Sequence, residues 1–99
     1  MTVVVLDDAA VDFEEGRRFY EAREPGIGEY FSESLLSDLD SLVLYAGIHH
    51  MHFGFYRMLS KRFPFGIYYE VEGDLAQVYA VLDMRRSPLW IRSELKKRH

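Results

Sequence analysis

The chain has no cysteine, which excludes a disulfide frame and any thiolate-held metal. Proline occurs only three times, at Pro25, Pro64 and Pro88, so each one acts as punctuation. No apolar stretch approaches the ~20 residues of a membrane span. The N-terminal run Val3 to Leu6 is short and follows no basic residue, unlike a secretory leader. Basic residues are sparse in the first half: residues 1–46 hold eleven Asp and Glu against three Arg. That balance argues against a general nucleic-acid binder. A cytoplasmic protein without membrane contact is the expectation, and no cofactor is expected.

Aromatics and charge patterning are abundant. Seven Phe, seven Tyr and one Trp, with 48% hydrophobic residues, indicate a packed interior rather than disorder. Ninety-nine residues suit one domain, 1–99, with one principal core. Residues 47–99 reverse the charge balance, with nine Lys and Arg against five Asp and Glu, so basic groups are expected on one face.

Val3 to Leu6 reads as a short buried strand. Asp7 and Asp8 offer a helix N-cap, and Ala9, Phe13, Gly16 and Tyr20 share the inward face of a helix from about Asp8 to Arg23. Glu24-Pro25-Gly26-Ile27-Gly28 is a turn. A second helix follows with Phe31, Leu35, Leu39, Leu42 and Ala46 on one stripe, widened by Leu36 and Val43. Glu29, Glu33, Asp38 and Asp40 lie off that stripe. Gly47 suits the left-handed residue that ends the helix, and the short connection favours an antiparallel helix pair.

Phe55 to Met84 reads as a three-stranded antiparallel meander. Pro64 divides its first two strands, and Gly73-Asp74 marks a primed-turn hairpin between the second and third. Phe65, Ile67, Tyr69 and Val71 should face the helices. In the third strand, Ala76, Val78, Ala80, Leu82 and Met84 should form one side, with Gln77, Tyr79, Val81 and Asp83 on the other. The register of the first strand is open. Ser87-Pro88 resembles an N-cap with proline at the first helical position. A short final helix then places Leu89 or Trp90, Ile91 and Leu95 against the sheet. The fold class is therefore α+β.

Ile48 to Gly54 reads as an aperiodic connector holding His49, His50 and His52. Extended, it places His50 and His52 on one side, and imidazole suits several metals. The absence of a nearby carboxylate and of helical i, i+4 spacing leaves loop histidines as the better reading, and no metal is expected.

The order of elements, together with Tyr56-Arg57, Lys61-Arg62-Phe63-Pro64-Phe65, Ile67-Tyr68-Tyr69, Ala80-Val81-Leu82-Asp83, Arg85-Arg86-Ser87-Pro88 and Trp90-Ile91, resembles the RelE/ParE superfamily of bacterial toxins. The resemblance is to the ParE-like, plasmid-stabilisation branch and covers essentially the whole chain. It implies an N-terminal strand, a helix hairpin, a meander and a short C-terminal helix. It also implies a toxin neutralised by a cognate antitoxin, whose contact residues it does not identify. The implied target is either DNA gyrase or ribosome-bound messenger RNA.

Chemistry separates those targets. RNA cleavage by a 2′-hydroxyl needs a base, an acid and cations for the phosphorane. Arg57, Lys61, Arg85 and Arg86 approximate the cation positions of the ribonuclease branch. Its C-terminal Tyr or His is not matched, because no Tyr follows Arg86 and the one later histidine is His99. A gyrase-type toxin needs a docking surface instead, and Arg57, Arg85, Arg86, Trp90 and Arg92 are the candidate target-binding residues. Ordinary roles compete: ion pairing for Arg85 and Arg86, edge protection for Arg57 and core packing for Trp90. A degenerate member that only pairs with its antitoxin is a further possibility, as is a homodimer formed through uncovered apolar surface.

Overall fold

A computed structural model describes residues 1–98; His99, the terminal histidine weighed above, lies outside the described residues. The elements are β1 (Thr2–Val5), α1 (Asp7–Arg23), α2 (Ile27–Tyr45), β2 (Met51–His52), β3 (Phe55–Leu59), β4 (Phe65–Glu72), β5 (Leu75–Asp83) and α3 (Pro88–Arg98). They build a five-stranded sheet ordered β1-β5-β4-β3-β2. Strand β1 pairs parallel to β5, and the other neighbours pair antiparallel. The α1–α2 hairpin covers one face and α3 part of the other, giving two apolar clusters on either side of the sheet.

The helix hairpin is closed by its own side chains. Ala9 and Gly16 are buried and Phe13 and Tyr20 pack on the first cluster, as the spacing predicts. A Cβ on Gly16 would lie 2.6 Å from the Phe31 ring, so this glycine permits the close approach of α2. Glu21 accepts hydrogen bonds from the backbone N–H groups of Gly26 (3.1 Å) and Gly28 (3.0 Å). Those donors open α2 and would otherwise lack partners. Phe63, between β3 and β4, packs its ring against Tyr20, Tyr30 and Phe31 at 4.8, 5.5 and 5.0 Å. It thereby pins that loop to the helices.

Several expectations need correction. Helix α1 begins at Asp7 after Leu6, with no side-chain cap; Asp7 and Asp8 sit in the first turn instead, where they favour the helix dipole. Leu36 and Val43 do not widen the buried stripe, being 53% and 46% exposed. Asp38, expected off the stripe, is buried and accepts a 2.7 Å hydrogen bond from the Ser60 hydroxyl. The connector contains the strand β2, joined to β3 by a tight turn at Phe53 and Gly54, both with positive φ. A two-residue turn of this kind demands left-handed backbone at both positions, and Phe53 conceals it because large side chains rarely adopt that conformation.

The largest departure lies in β5. Tyr69 pairs with Val78 and Tyr68 with Ala80, so Tyr79 is the inserted residue of a β-bulge. The insertion reverses the alternation that follows it. Ala76, Val78 and then Val81 join the helix-hairpin cluster, whereas Ala80 and Leu82 join the α3 cluster. One strand thus feeds both cores. Strand β3 is in register: Tyr56 and Met58 pack with the hairpin cluster and Phe55 with the α3 cluster.

A buried ion pair seats itself at the bulge. Asp12 of α1 accepts a 3.0 Å hydrogen bond from the Val81 N–H and is bridged by both terminal nitrogens of Arg98. Arg98 also donates to the Tyr79 carbonyl at 3.2 Å and to Glu94 at 3.2 Å. Side-chain exposure is 10% for Arg98 and 9% for Asp12. Burial pushes the Asp12 carboxyl up, opposed by Arg98 and the Val81 N–H. Such a pair adds little over an apolar pair of equal shape, but removing one partner strands a buried charge at a cost of about 3–5 kcal/mol. Asp12→Ala should therefore lose about that much stability in urea denaturation, while Asp12→Ala with Arg98→Met should lose less than the single change, because no charge is then stranded. Additive losses would show that the two side chains act independently.

Candidate target-binding surface

Ser87 and Pro88 start α3 as the sequence indicates: the Ser87 hydroxyl accepts the Trp90 N–H at 3.1 Å. Ile91 and Leu95 are buried against the sheet. Leu89 is 76% exposed, so Trp90 and not Leu89 supplies the third contact. Trp90 is half-buried against the α3 cluster, and the Arg86 guanidinium lies 3.7 Å from its ring centroid. Both residues border a recess of about 200 Å³ shared with Asp12, Glu15, Gly16 and Phe19 of α1. Packing and display are therefore combined in one side chain.

Arg85 is engaged differently. Its Nη2 and Nε contact the Asp83 carboxylate at 2.7 and 3.0 Å, and Nη2 lies 3.5 Å from the Tyr20 hydroxyl. The pairing holds the Asp83 carboxyl below the usual range and raises Arg85 further. Arg92 and Lys96 lie along another side of α3, lining a recess of about 670 Å³ with Phe53, Gly54 and Phe55. Arg57 projects from β3 opposite Tyr68, on the α3 side of the sheet. Lys61 and Arg62 are exposed in the β3–β4 loop. Lys61 borders a cavity of about 360 Å³ on the α2 side with Asp38, Tyr45, His49 and Met58.

The structure brings together Arg86 and Trp90, and separately Arg85 and Asp83. Lys61 borders the α2-side cavity, whereas the Arg57 side chain runs over Gly66 of β4, where its Cδ and the Met84 Sδ approach the same point. Sequence reasoning missed Asp12 and Asp38. Their acidic character reads as solvated helix surface, and their partners are Arg98, 86 residues away, and Ser60, 22 residues away.

The three described histidines border one cavity with Arg57. His49 Nδ1 meets the Tyr69 hydroxyl, which also accepts the Gly47 N–H at 2.9 Å. Among the described residues, no three His, Asp or Glu side chains converge for a metal ion. No described helix is long and apolar enough to cross a membrane.

Among solved structures, the chain shares its fold with one described as "Chromosomal ParDE TA system from P. aeruginosa". The TM-score is 0.73 at 17% identity, covering 82% of this chain and 92% of that one. The chain thus has a ParE-like fold, as its motifs implied. No protein-family model matches the sequence, and no curated protein matches it.

Two measurements check the local geometry. Trp90 is the one tryptophan, so Arg86→Ala should alter its emission while stability changes by about 1 kcal/mol or less, the scale of an exposed cation–π contact. Burial lowers the His49 pKa in the folded chain, while the unfolded value stays near ~6.5. The neutral form is favoured on folding, so this contribution is complete above about pH 6.5 and is lost as pH falls through the lower folded value. Urea midpoints at pH 7.5 and 5 should show the decline, and His49→Gln should reduce it.

Proposed function

We propose that the chain is the toxin of a bacterial type II toxin–antitoxin pair, acting in the cytoplasm by binding DNA gyrase and neutralised by a cognate antitoxin. The ParE-like fold supports the class. The observation that carries the mode of action is the engagement of the cations. Arg85 is committed to Asp83, Arg86 is stacked on Trp90, and Lys61 borders a cavity on the α2 side. In-line cleavage of RNA needs an acid, a base and converging positive charge at one phosphate. A binding surface needs anchors, and an aromatic ring carrying an arginine is a common one. The target surface is assigned to Arg86 and Trp90, with Arg85, Arg92 and Arg57 around them. The uncovered apolar side chains of α2, Leu36, Val43 and Leu44, suit an antitoxin helix, or a second copy in its absence.

One contact favours a ribosome-dependent messenger endoribonuclease as the second reading. The Tyr20 hydroxyl lies beside Arg85 and offers a phenolic acid where the C-terminal segment has none. Against this, the Tyr20 ring is fixed between Phe31 and Phe63 in the core, which restricts its approach to a substrate.

Induction of the protein alone in bacteria discriminates the readings. Growth arrest with altered plasmid supercoiling and intact messages is expected, with rescue by the adjacent antitoxin gene. Arg57→Ala and Arg86→Ala should relieve arrest without unfolding the chain. Messages cut within codons would overturn the gyrase reading. Growth without arrest would identify a member retained for antitoxin pairing alone.

A further inference from the structure

Asp38 is the second buried carboxylate of the fold, and it is held quite differently from Asp12. It is 4% exposed, and its Oδ2 accepts one hydrogen bond, from the Ser60 hydroxyl at 2.7 Å. Among the described residues no donor reaches Oδ1, and no Lys, Arg or His forms an ion pair with this side chain. Asp12, by contrast, has a guanidinium and a backbone N–H. A buried carboxylate without a counter-charge is costly, and an oxygen left without a donor in a well-packed fold asks for a reason.

Asp38 borders the cavity of about 360 Å³ between α2 and β3, a volume at the small end of ligand sites, which span about 300–1,000 Å³. Its walls are largely apolar, with Ile48 and Leu59 at the mouth and Met58 buried beneath. One wall is already fixed. His49 meets the Tyr69 hydroxyl, and its ring stands edge-on to the Tyr69 ring at 5.6 Å, so this part of the connector need not be ordered on binding. Lys61 is exposed, borders the same cavity and forms no ion pair. The carboxylate and the ammonium therefore lie beyond the ~4 Å of an ion pair, and neither neutralises the other. A simple anion would be repelled by Asp38, and a simple cation by Lys61. A ligand that carries both charges and an apolar substituent satisfies the whole lining.

We propose that the cavity bordered by Asp38, Met58 and Lys61 binds a free α-amino acid with an apolar side chain. The ligand ammonium donates to Asp38, making the charge-assisted bond that this carboxylate lacks. Ser41 stands beside it. Its hydroxyl donates to the Asp38 carbonyl at 2.6 Å, so its oxygen remains an acceptor for the same ammonium. The ligand carboxylate meets Lys61, whose flexible stem lets the charge follow it, and the side chain packs on Ile48, Met58 and Leu59. This site does not depend on the toxin reading.

The test follows the Met58 methyl and the Ile48 and Leu59 N–H resonances by NMR in the full chain at pH 7. The probes are L-leucine, L-leucinamide, N-acetyl-L-leucine and glycine. Leucinamide lacks the carboxylate and stands for the first residue of a peptide, whereas N-acetyl-leucine lacks the ammonium and stands for the last. Leucine should give saturable shifts and bind at least about tenfold more tightly than either analogue, the scale of a charge-assisted hydrogen bond. Glycine, without an apolar side chain to bury, should be weaker by at least a similar factor. Asp38→Asn, which can still accept the Ser60 hydroxyl, and Lys61→Met should each weaken leucine about tenfold. No saturable shift, or leucine binding that Lys61→Met leaves unchanged, would overturn the assignment. Equal or tighter binding of leucinamide or N-acetyl-leucine would also overturn it, in favour of a chain terminus. The probe series needs no variant and Lys61 is exposed, so misfolding of Asp38→Asn cannot decide the outcome.

Discussion

The buried pair between Asp12 and Arg98 is the contact on which the two layers of the fold depend. A bulge in a central strand breaks the regular ladder, and the groups around it must find other partners. Here α1 supplies a carboxylate to the Val81 N–H, and α3 supplies a guanidinium to the Tyr79 carbonyl. The two charged groups then satisfy each other. The bulge allows β5 to turn Val81 towards the helix hairpin and Ala80 and Leu82 towards α3. Without it, strict alternation would place all three differently. Chain reversal, two-sided packing and the seating of the last helix therefore converge on one electrostatic contact.

That seating controls what the surface displays. With Ile91 and Leu95 buried and Arg98 locked under α1, α3 has a fixed rotation, and Trp90 sits at the seam between α3 and α1. Arg86, a few residues earlier, lies on the exposed part of the ring. Arg85 is turned towards Asp83 and Tyr20. Two adjacent arginines are thus given different tasks by their neighbours: one stabilises the end of β5, the other is offered outward. Arg57 reaches over Gly66 towards Met84, with the Tyr68 hydroxyl beside it.

The elements with strong local signals were legible in the sequence. The helix pair announced itself through Ala9, Phe13, Gly16 and Tyr20 and through Phe31, Leu35, Leu39 and Leu42, and Gly73-Asp74 marked the β4–β5 hairpin. The meander motifs carried the resemblance to the fold found. What stayed hidden was non-local. The bulge at Tyr79 leaves no trace in composition, because an apolar strand on both faces reads the same in either alternation. Asp12 and Asp38 look like ordinary surface acids until the chain brings Arg98 and Ser60 to them. Strand β2 is only two residues long, and Phe53 in a left-handed turn masks its hairpin. The candidate site was legible as residue types and not as an arrangement: Arg85 and Arg86 are adjacent in sequence but separated by their partners.

Binding without catalysis, centred on Arg86 and Trp90, is tested most directly with purified components. The chain is added to DNA gyrase and relaxed plasmid, and in parallel to ribosomes translating a defined message. The account predicts that the wild-type chain blocks supercoiling in proportion to its concentration, that folded Arg86→Ala is much weaker, and that the message stays intact. An unaffected gyrase together with codon-specific cleavage of the message would contradict it.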